Sequence, residues 1–361
     1  MSSPIPESMT GMVYLGDRQV ELRKFTVPKP GRGQVLLKSK ASSLCGSDLH
    51  AIYRLPANKW SKDQEGYFEG VIGGHEPAGE VVQLGEGVEN VQVGDRCVVF
   101  HITGCYNCPD CRELRPGSCT TPMDVEKGLG RRSHGWQRDG GHANYILCDA
   151  MTLIKMSPFM TYLDAAMVAC GYGTAYSAVM KMRPNGHDRV LVVGLGPVGL
   201  AISQICQKLG AKVFGYEIIE SRKEFARSLG IQVLEEDQVE VAEDGVAPRH
   251  IGYDFTFDVT GVPAGRIMAV RGARRWGTVM MIGGYNDVTL KVSPWIIQKQ
   301  LTIRGSWVCS IPEMEACCKK LEDWQLHPDA LISHTFPLSE AETAYKMFDE
   351  GKANKVAIVF D

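Results

Sequence analysis

Residues 190–210, VLVVGLGPVGLAISQICQKLG, read as one buried strand, one tight glycine turn and one helix. The run Val190, Leu191, Val192, Val193 is short and β-branched, as suits a parallel strand covered on both faces. Gly194, Gly196 and Gly199 follow in the G-x-G-x-x-G spacing, with Pro197 and Val198 opening the helix. The first glycine allows the turn, the second lets backbone approach a diphosphate, and the third lets helix and strand pack closely, so that phosphates meet a helix N-terminus. A second apolar strand, Lys212 to Tyr216, ends in Glu217, eighteen residues after Gly199 and about where a carboxylate accepts hydrogen bonds from an adenosine ribose. The stretch predicts a dinucleotide site in which Glu217 favours NAD(H), while Arg222 leaves a 2′-phosphate, and so NADP(H), open.

Downstream the alternation continues. Residues 221–229 predict a helix ended by Gly230, 255–261 a strand, AGRIMAVRGAR a helix, 277–284 a strand, and 295–307 a last helix and strand. That order builds a right-handed, mostly parallel sheet. The tail turns to a capped helix near Ser339 and a closing strand, Val356 to Phe360. Upstream, residues 12–40 alternate apolar and polar positions and predict antiparallel strands, with VPKPGRGQ as the turn between Leu22–Val27 and Val35–Lys40. Residues 51–70 lack periodicity and read as a long loop, a length that in compact domains is usually functional or mobile. Residues 161–182 have helical spacing interrupted by CGYGT, which sets Cys170 at a glycine-rich break between helices.

At 361 residues the chain is long enough for about two domains. Its 44% hydrophobic and 22% charged residues describe a globular protein, and a net charge of −3 gives no reason to expect nucleic acid or an anionic membrane as partner. Apolar stretches are broken by glycine and proline before they reach membrane-spanning length. The N-terminus, MSSPIPESMTG, lacks the basic and apolar regions of a secretory signal, which predicts a cytoplasmic protein.

Twelve cysteines in a chain this large, without an export signal, do not read as a disulfide framework. Cys105, Cys108, Cys111 and Cys119 stand at C-x2-C-x2-C-x7-C, a spacing that can turn four thiolates toward one tetrahedral centre and close its shell, the form of a structural zinc site. An iron-sulfur cluster is the chemical competitor, but no proline follows the fourth cysteine and no second set exists. A second concentration of reactive groups lies in ASSLCGSDLH, where Cys45, Ser47, Asp48 and His50 fall within six positions. GGHEPAGEVV then presents His75 and Glu76 after two glycines, at a strand entrance where an imidazole meets little steric obstruction. His134 and His142 are possible ligands, although hydrogen-bonding or surface roles suit both better.

Taken together, CGSDLH, GGHEPAGEVV, the four-cysteine lobe, ACGYGTAYSA and VGLGPVG resemble the zinc-containing medium-chain alcohol dehydrogenase family, in its order and along essentially the whole chain. The resemblance implies an α/β architecture in which a Rossmann doubly wound parallel sheet is inserted in a GroES-like, mainly β catalytic domain. It places the catalytic domain at 1–171 and 308–361, and the nucleotide domain at 172–307. It further implies two zinc ions per chain, the structural one on the four-cysteine lobe and a catalytic one on Cys45, His75 and Cys170 with a fourth place for water or substrate. Asp48 would orient His75, and Glu76 would be the near-metal carboxylate. Ser47 would pass the substrate proton through the cofactor ribose to His50. Thr174 and Lys355 join the glycine turn, Glu217 and Arg222 as cofactor contacts, with Lys355 meeting the diphosphate. Gly46 departs from relatives with arginine there, so diphosphate contacts are fewer or supplied elsewhere.

Cys170 sets the sequence toward the alcohol dehydrogenase branch, since sorbitol and threonine dehydrogenases generally lack a cysteine there. His101 and Trp136 fall near positions lining the family's substrate cleft; Trp60, Tyr67 and Phe68 either roof a pocket or pack the loop. The implied activity is hydride transfer between a small-molecule alcohol or carbonyl and NAD(H), in a homodimer or homotetramer. A polyol dehydrogenase or biosynthetic carbonyl reductase on the same fold is the alternative, and a non-enzymatic nucleotide-binding protein a more distant one.

Overall fold

The structure, a computed structural model, describes residues 4–60, 66–124, 127–243, 248 and 250–361. The chain divides into two units, Met1–Gly173 with Cys309–Asp361, and Thr174–Val308.

In the first unit β1 (Ser8–Gly16) and β2 (Gln19–Thr26) form an antiparallel hairpin across Asp17 and Arg18, both in the left-handed region that hairpin turns require. β3 (Gln34–Ser43) enters a different sheet. The VPKPGRGQ connection therefore carries the chain from one sheet to another instead of pairing its flanking strands, because β2 finds its partner locally in β1. After β3 comes a single turn, α1 (Gly46–Asp48), continued by a π-helical turn at Leu49–Tyr53. The supposed loop beyond it is thus partly helical, and Ile52, Tyr53, Trp60 and Tyr67 are buried in a cluster with Tyr345 and Phe348. Trp60 and Tyr67 pack edge to face at 4.7 Å, so they fill the loop's interior; residues 61–65 lie outside the described residues.

β4 (Glu76–Leu84) and β5 (Arg96–Val99) continue the sheet, and the two-residue strands β6 (Ile102–Thr103) and β7 (Arg132–Ser133) pair across the base of the cysteine lobe, which holds the short helix α2 (Pro109–Arg112). β8 (Tyr145–Asp149) and β9 (Leu153–Lys155) pair with β3 and β5. Helix α3 (Tyr162–Met167) then runs without interruption through a π-helical turn, Val168–Tyr172, into α4 (Gly173–Met182). CGYGT is a widened helical turn and not a break, and such turns are frequent at functional sites.

The second unit alternates β10 (Arg189–Val193), α5 (Pro197–Lys208), β11 (Lys212–Tyr216), α6 (Glu220–Ser228), β12 (Gln232–Leu234), β13 (Tyr253–Asp258), α7 (Pro263–Gly272), β14 (Ala273–Met281) and β15 (Thr302–Gly305). The strand order is β12-β11-β10-β13-β14-β15 and every pair is parallel. Growth reverses beside β10, so the glycine turn at its carboxyl end occupies the switch point where ligands bind in such sheets.

On its return to the first unit the chain forms α8 (Ile311–Trp324), which the sequence analysis did not anticipate although Ser310 and Glu313 make a capping box. β16 (His334–Pro337), α9 (Ala341–Asp349) and β17 (Val356–Val359) follow, and β17 pairs antiparallel with β3 to complete the order β16-β17-β3-β4-β5-β9. Among the described residues no helix is long and apolar enough to cross a membrane.

Candidate metal centres and nucleotide site

Two groups of side chains in the first unit have the composition of metal sites. The sulfurs of Cys105, Cys108, Cys111 and Cys119 all lie within 4.8 Å of one another. A tetrahedron with metal–sulfur bonds of about 2.3 Å has edges of roughly 3.8 Å, so the all-thiolate set fits a closed zinc shell. The lobe is tight: a Cβ on Gly104 would stand 2.6 Å from the Cys111 sulfur.

The second group gathers Cys45, His75, Glu76 and Cys170, again with ligand atoms within 4.8 Å. Cys45 caps α1, His75 and Glu76 lie at the entrance to β4, and Cys170 projects from the π-helical turn. Gly74, at φ 88°, makes the bend before His75, and the His142 ring fills the space where a Cβ would be. Asp48 is fully buried, and its Oδ1 accepts the His75 Nδ1 proton at 2.8 Å. That bond fixes the tautomer and leaves Nε2 with its lone pair for a metal. Burial pulls the His75 pKa down, but the Asp48 carboxylate and the Cys45 sulfur together outweigh it and the result is well above the usual value. The Cys45–Cys170 contact lowers the Cys45 thiol and raises Cys170, as expected of two sulfurs sharing one proton.

Glu76 is also fully buried. Its Oε2 accepts from Ser43 and Lys355, while Oε1 has no hydrogen-bond partner. A buried carboxylate oxygen left unpaired beside two sulfurs and an imidazole suits a cation, since an unsatisfied buried acceptor is otherwise costly. Burial raises the Glu76 pKa to about 7 against the pull of Lys355.

Lys355, for which the resemblance implies a cofactor diphosphate, is buried with its ammonium on Glu76. The cause is strand register: Ala357 pairs with Ser43, and Ser43 with Glu76, so the residue just before β17 is delivered beside that carboxylate.

Ser47 is half-buried on α1 and His50 exposed just beyond it. Burial and then the Arg54 guanidinium, 3.1 Å from His50 Nδ1, lower the His50 pKa. His101 donates from Nδ1 to the Ala169 carbonyl at 2.9 Å, its ring 5.1 Å from that of His75; burial pushes its pKa to about 3, so it is neutral. His134 and His142 are both buried, hydrogen-bonded to the Asp139 carbonyl and the Tyr345 hydroxyl, and neither belongs to a ligand group among the described residues. A third cluster, Asp164, His327 and Asp329, is structural: the Asp164 oxygens are taken by the Thr161 and Asp329 amides and by His327.

In the second unit Gly194 has φ 93°, and a Cβ on Gly199 would stand 1.9 Å from the Gly194 oxygen. Gly196 caps α5 with open space before it, and Pro197 and Val198 begin the helix. Glu217 is buried and accepts from the amides of Leu195, Ile218 and Ile219 at 3.0, 2.8 and 3.1 Å, with Arg222 3.9 Å away. The carboxylate is thus pinned to the glycine turn itself. Thr174 is buried at the start of this unit.

Two family models match the chain, the alcohol dehydrogenase GroES-like domain over residues 31–158 and the zinc-binding dehydrogenase over residues 197–323. An uncharacterized zinc-type alcohol dehydrogenase-like protein of Escherichia coli (strain K12) is 40% identical over 361 residues, spanning 98% of this chain and 99% of its own. The L-threonine 3-dehydrogenase of Pyrococcus horikoshii is 31% identical, with 94% of each chain covered. Among solved structures, alcohol dehydrogenase TADH from Thermus sp. ATN1 matches with a TM-score of 0.82 at 26% identity, over 97% of this chain and 99% of that one.

Proposed function

The chain belongs to the zinc-dependent medium-chain alcohol dehydrogenase family and is an alcohol dehydrogenase-like oxidoreductase, and from that premise we propose that it interconverts a small-molecule alcohol with its aldehyde or ketone, using NAD(H) and two zinc ions per chain. The observation that carries the proposal is the convergence of Cys45, His75 and Cys170, with the second nitrogen of His75 committed to Asp48. Zinc held by these three residues supplies Lewis-acid polarisation that makes an alcohol oxygen more acidic, and the nicotinamide supplies the hydride acceptor. Ser47 binds the substrate hydroxyl and takes its proton. His50, whose lowered pKa disfavours holding a proton, is the outer end of that relay and would release the proton to solvent. Glu76 offers its unpaired Oε1 during ligand exchange.

The Glu217 carboxylate at the end of β11 supports NAD(H) over NADP(H), because it stands where a 2′-phosphate would bring like charge. The threonine dehydrogenase likeness supports a substrate with polar groups beside its hydroxyl as the second reading.

The test is Ser47→Ala, expected to lower turnover about 100-fold with zinc content and NADH affinity unchanged. Unchanged turnover in a fully loaded variant would remove Ser47 from the proton path.

The proposed homo-oligomer uses β15, the outer strand of its sheet, all four residues of which are exposed. Ile303 and Trp307 add exposed apolar surface beside an edge strand that pairs with no other strand on its outer side among the described residues, and a second copy can extend it. Light scattering is expected to give a multiple of the 39.7 kDa chain mass for the parent, and the single-chain mass or a smaller assembly for Ile303→Lys. The same mass for both would exclude this edge.

A further inference from the structure

Asp48 Oδ1 receives a second donor besides His75. The indole Nε1–H of Trp136 reaches it at 3.2 Å. The same nitrogen lies 3.5 Å from His75 Nδ1, but that atom's proton already goes to Asp48, so the carboxylate is the indole's acceptor. Asp48 Oδ2 meanwhile takes the Cys45 amide at 3.4 Å. One buried carboxylate thus ties together the Cys45 backbone, the His75 ring and Trp136.

We propose that Trp136 is a positioning residue of the catalytic metal site, acting through Asp48 to set the orientation and basicity of His75. Two features of the chain place it there. Gly135, at φ 76°, brings its turn so close to the Gly74–His75 backbone that a Cβ would stand 2.8 Å from the Gly74 carbonyl carbon. The Trp136 carbonyl accepts from the Phe68 amide at 2.8 Å, while its ring stands edge to face with His75 at 6.3 Å. The indole is therefore held from both ends and its N–H has a single direction. A second donor on the same oxygen holds the carboxylate against rotation and so fixes the ring it carries, and that restraint outweighs the basicity the second donor takes away.

The inference rests on the metal role proposed for Cys45, His75 and Cys170. Its experiment follows release of zinc from the loaded protein to a chelator, together with the visible spectrum of the cobalt-substituted form. Trp136→Phe is expected to release the catalytic-site metal about 10-fold faster or more, with an altered cobalt spectrum and no change at the four-cysteine site. In an Asp48→Asn background, Trp136→Phe is expected to add nothing. Trp136→Leu, which likewise carries no side-chain donor, is read the same way if the phenylalanine variant does not fold. Parent-like release from both variants, or full additivity with Asp48→Asn, overturns the inference. Failure of the underlying metal proposal has a separate signature: the parent would then load zinc only at the four-cysteine lobe.

Discussion

Cys105→Ser is expected to lower the stability of the protein by roughly 3–5 kcal/mol, whereas Cys45→Ser is expected to leave stability nearly intact and reduce turnover about 1000-fold or more. The contrast follows from what else holds each group. Around the four-cysteine site the chain has only a four-residue helix, a three-residue 3-10 turn, and two residues, Tyr106 and Leu114, in the left-handed region. Little apolar surface is available there, so a metal cross-link carries the lobe's fold. The lobe is also coupled to the remainder of its unit, since the Leu114 carbonyl accepts the first amide of α8 at 3.2 Å. Around Cys45, by contrast, β3, β4 and β17 supply a hydrogen-bonded sheet, and the adjacent cluster of Leu44, Leu49, Ile52, Tyr53 and Tyr345 is buried whether or not a metal is bound. Calorimetry with zinc analysis of each variant checks both halves. Loss of stability from Cys45→Ser with loss of turnover alone from Cys105→Ser would reverse the assignments.

What the sequence made legible was local. The glycine turn, the strand before it and the helix after it are one continuous stretch, and the parallel sheet follows from the alternation around it. The C-x2-C-x2-C-x7-C group is likewise short enough for spacing alone to suggest a common centre. Contacts built by tertiary register were not legible. Trp136 is 88 residues from Asp48, and Lys355 is 279 from Glu76, so no periodicity links them. Lys355 is an example: its proximity to a strand start was readable, but the order β17-β3-β4, which turns its charge toward Glu76, was not. The misplaced partner of β2 has the same origin, because alternation marks a strand and says nothing of which edge it joins.

The glycines of the nucleotide turn separate folding from binding, and the two substitutions Gly199→Ala and Gly196→Ala are expected to do so in solution. At Gly199 a methyl group would be 1.9 Å from the Gly194 carbonyl oxygen. Both partners are backbone, one opening the turn and the other in the first turn of α5, so relief demands that the helix move away from β10. The expected cost is about 3 kcal/mol or more, with dinucleotide binding lost because the helix N-terminus is displaced. Gly196 is different. Its φ of −69° and ψ of −176° suit alanine, and nothing lies within 4 Å of the added carbon. Stability should change by no more than about 1 kcal/mol, the loss of a good cap being offset by a less flexible unfolded chain. The methyl group nevertheless enters the space through which a diphosphate approaches the backbone, so NADH affinity should fall about 10-fold or more, close to 1.4 kcal/mol. Fluorescence titration of NADH beside thermal unfolding reads both variants. A Gly196→Ala protein that binds NADH as the parent does would show that the open face of this turn is not where the diphosphate rests, and would move the cofactor assignment away from the turn.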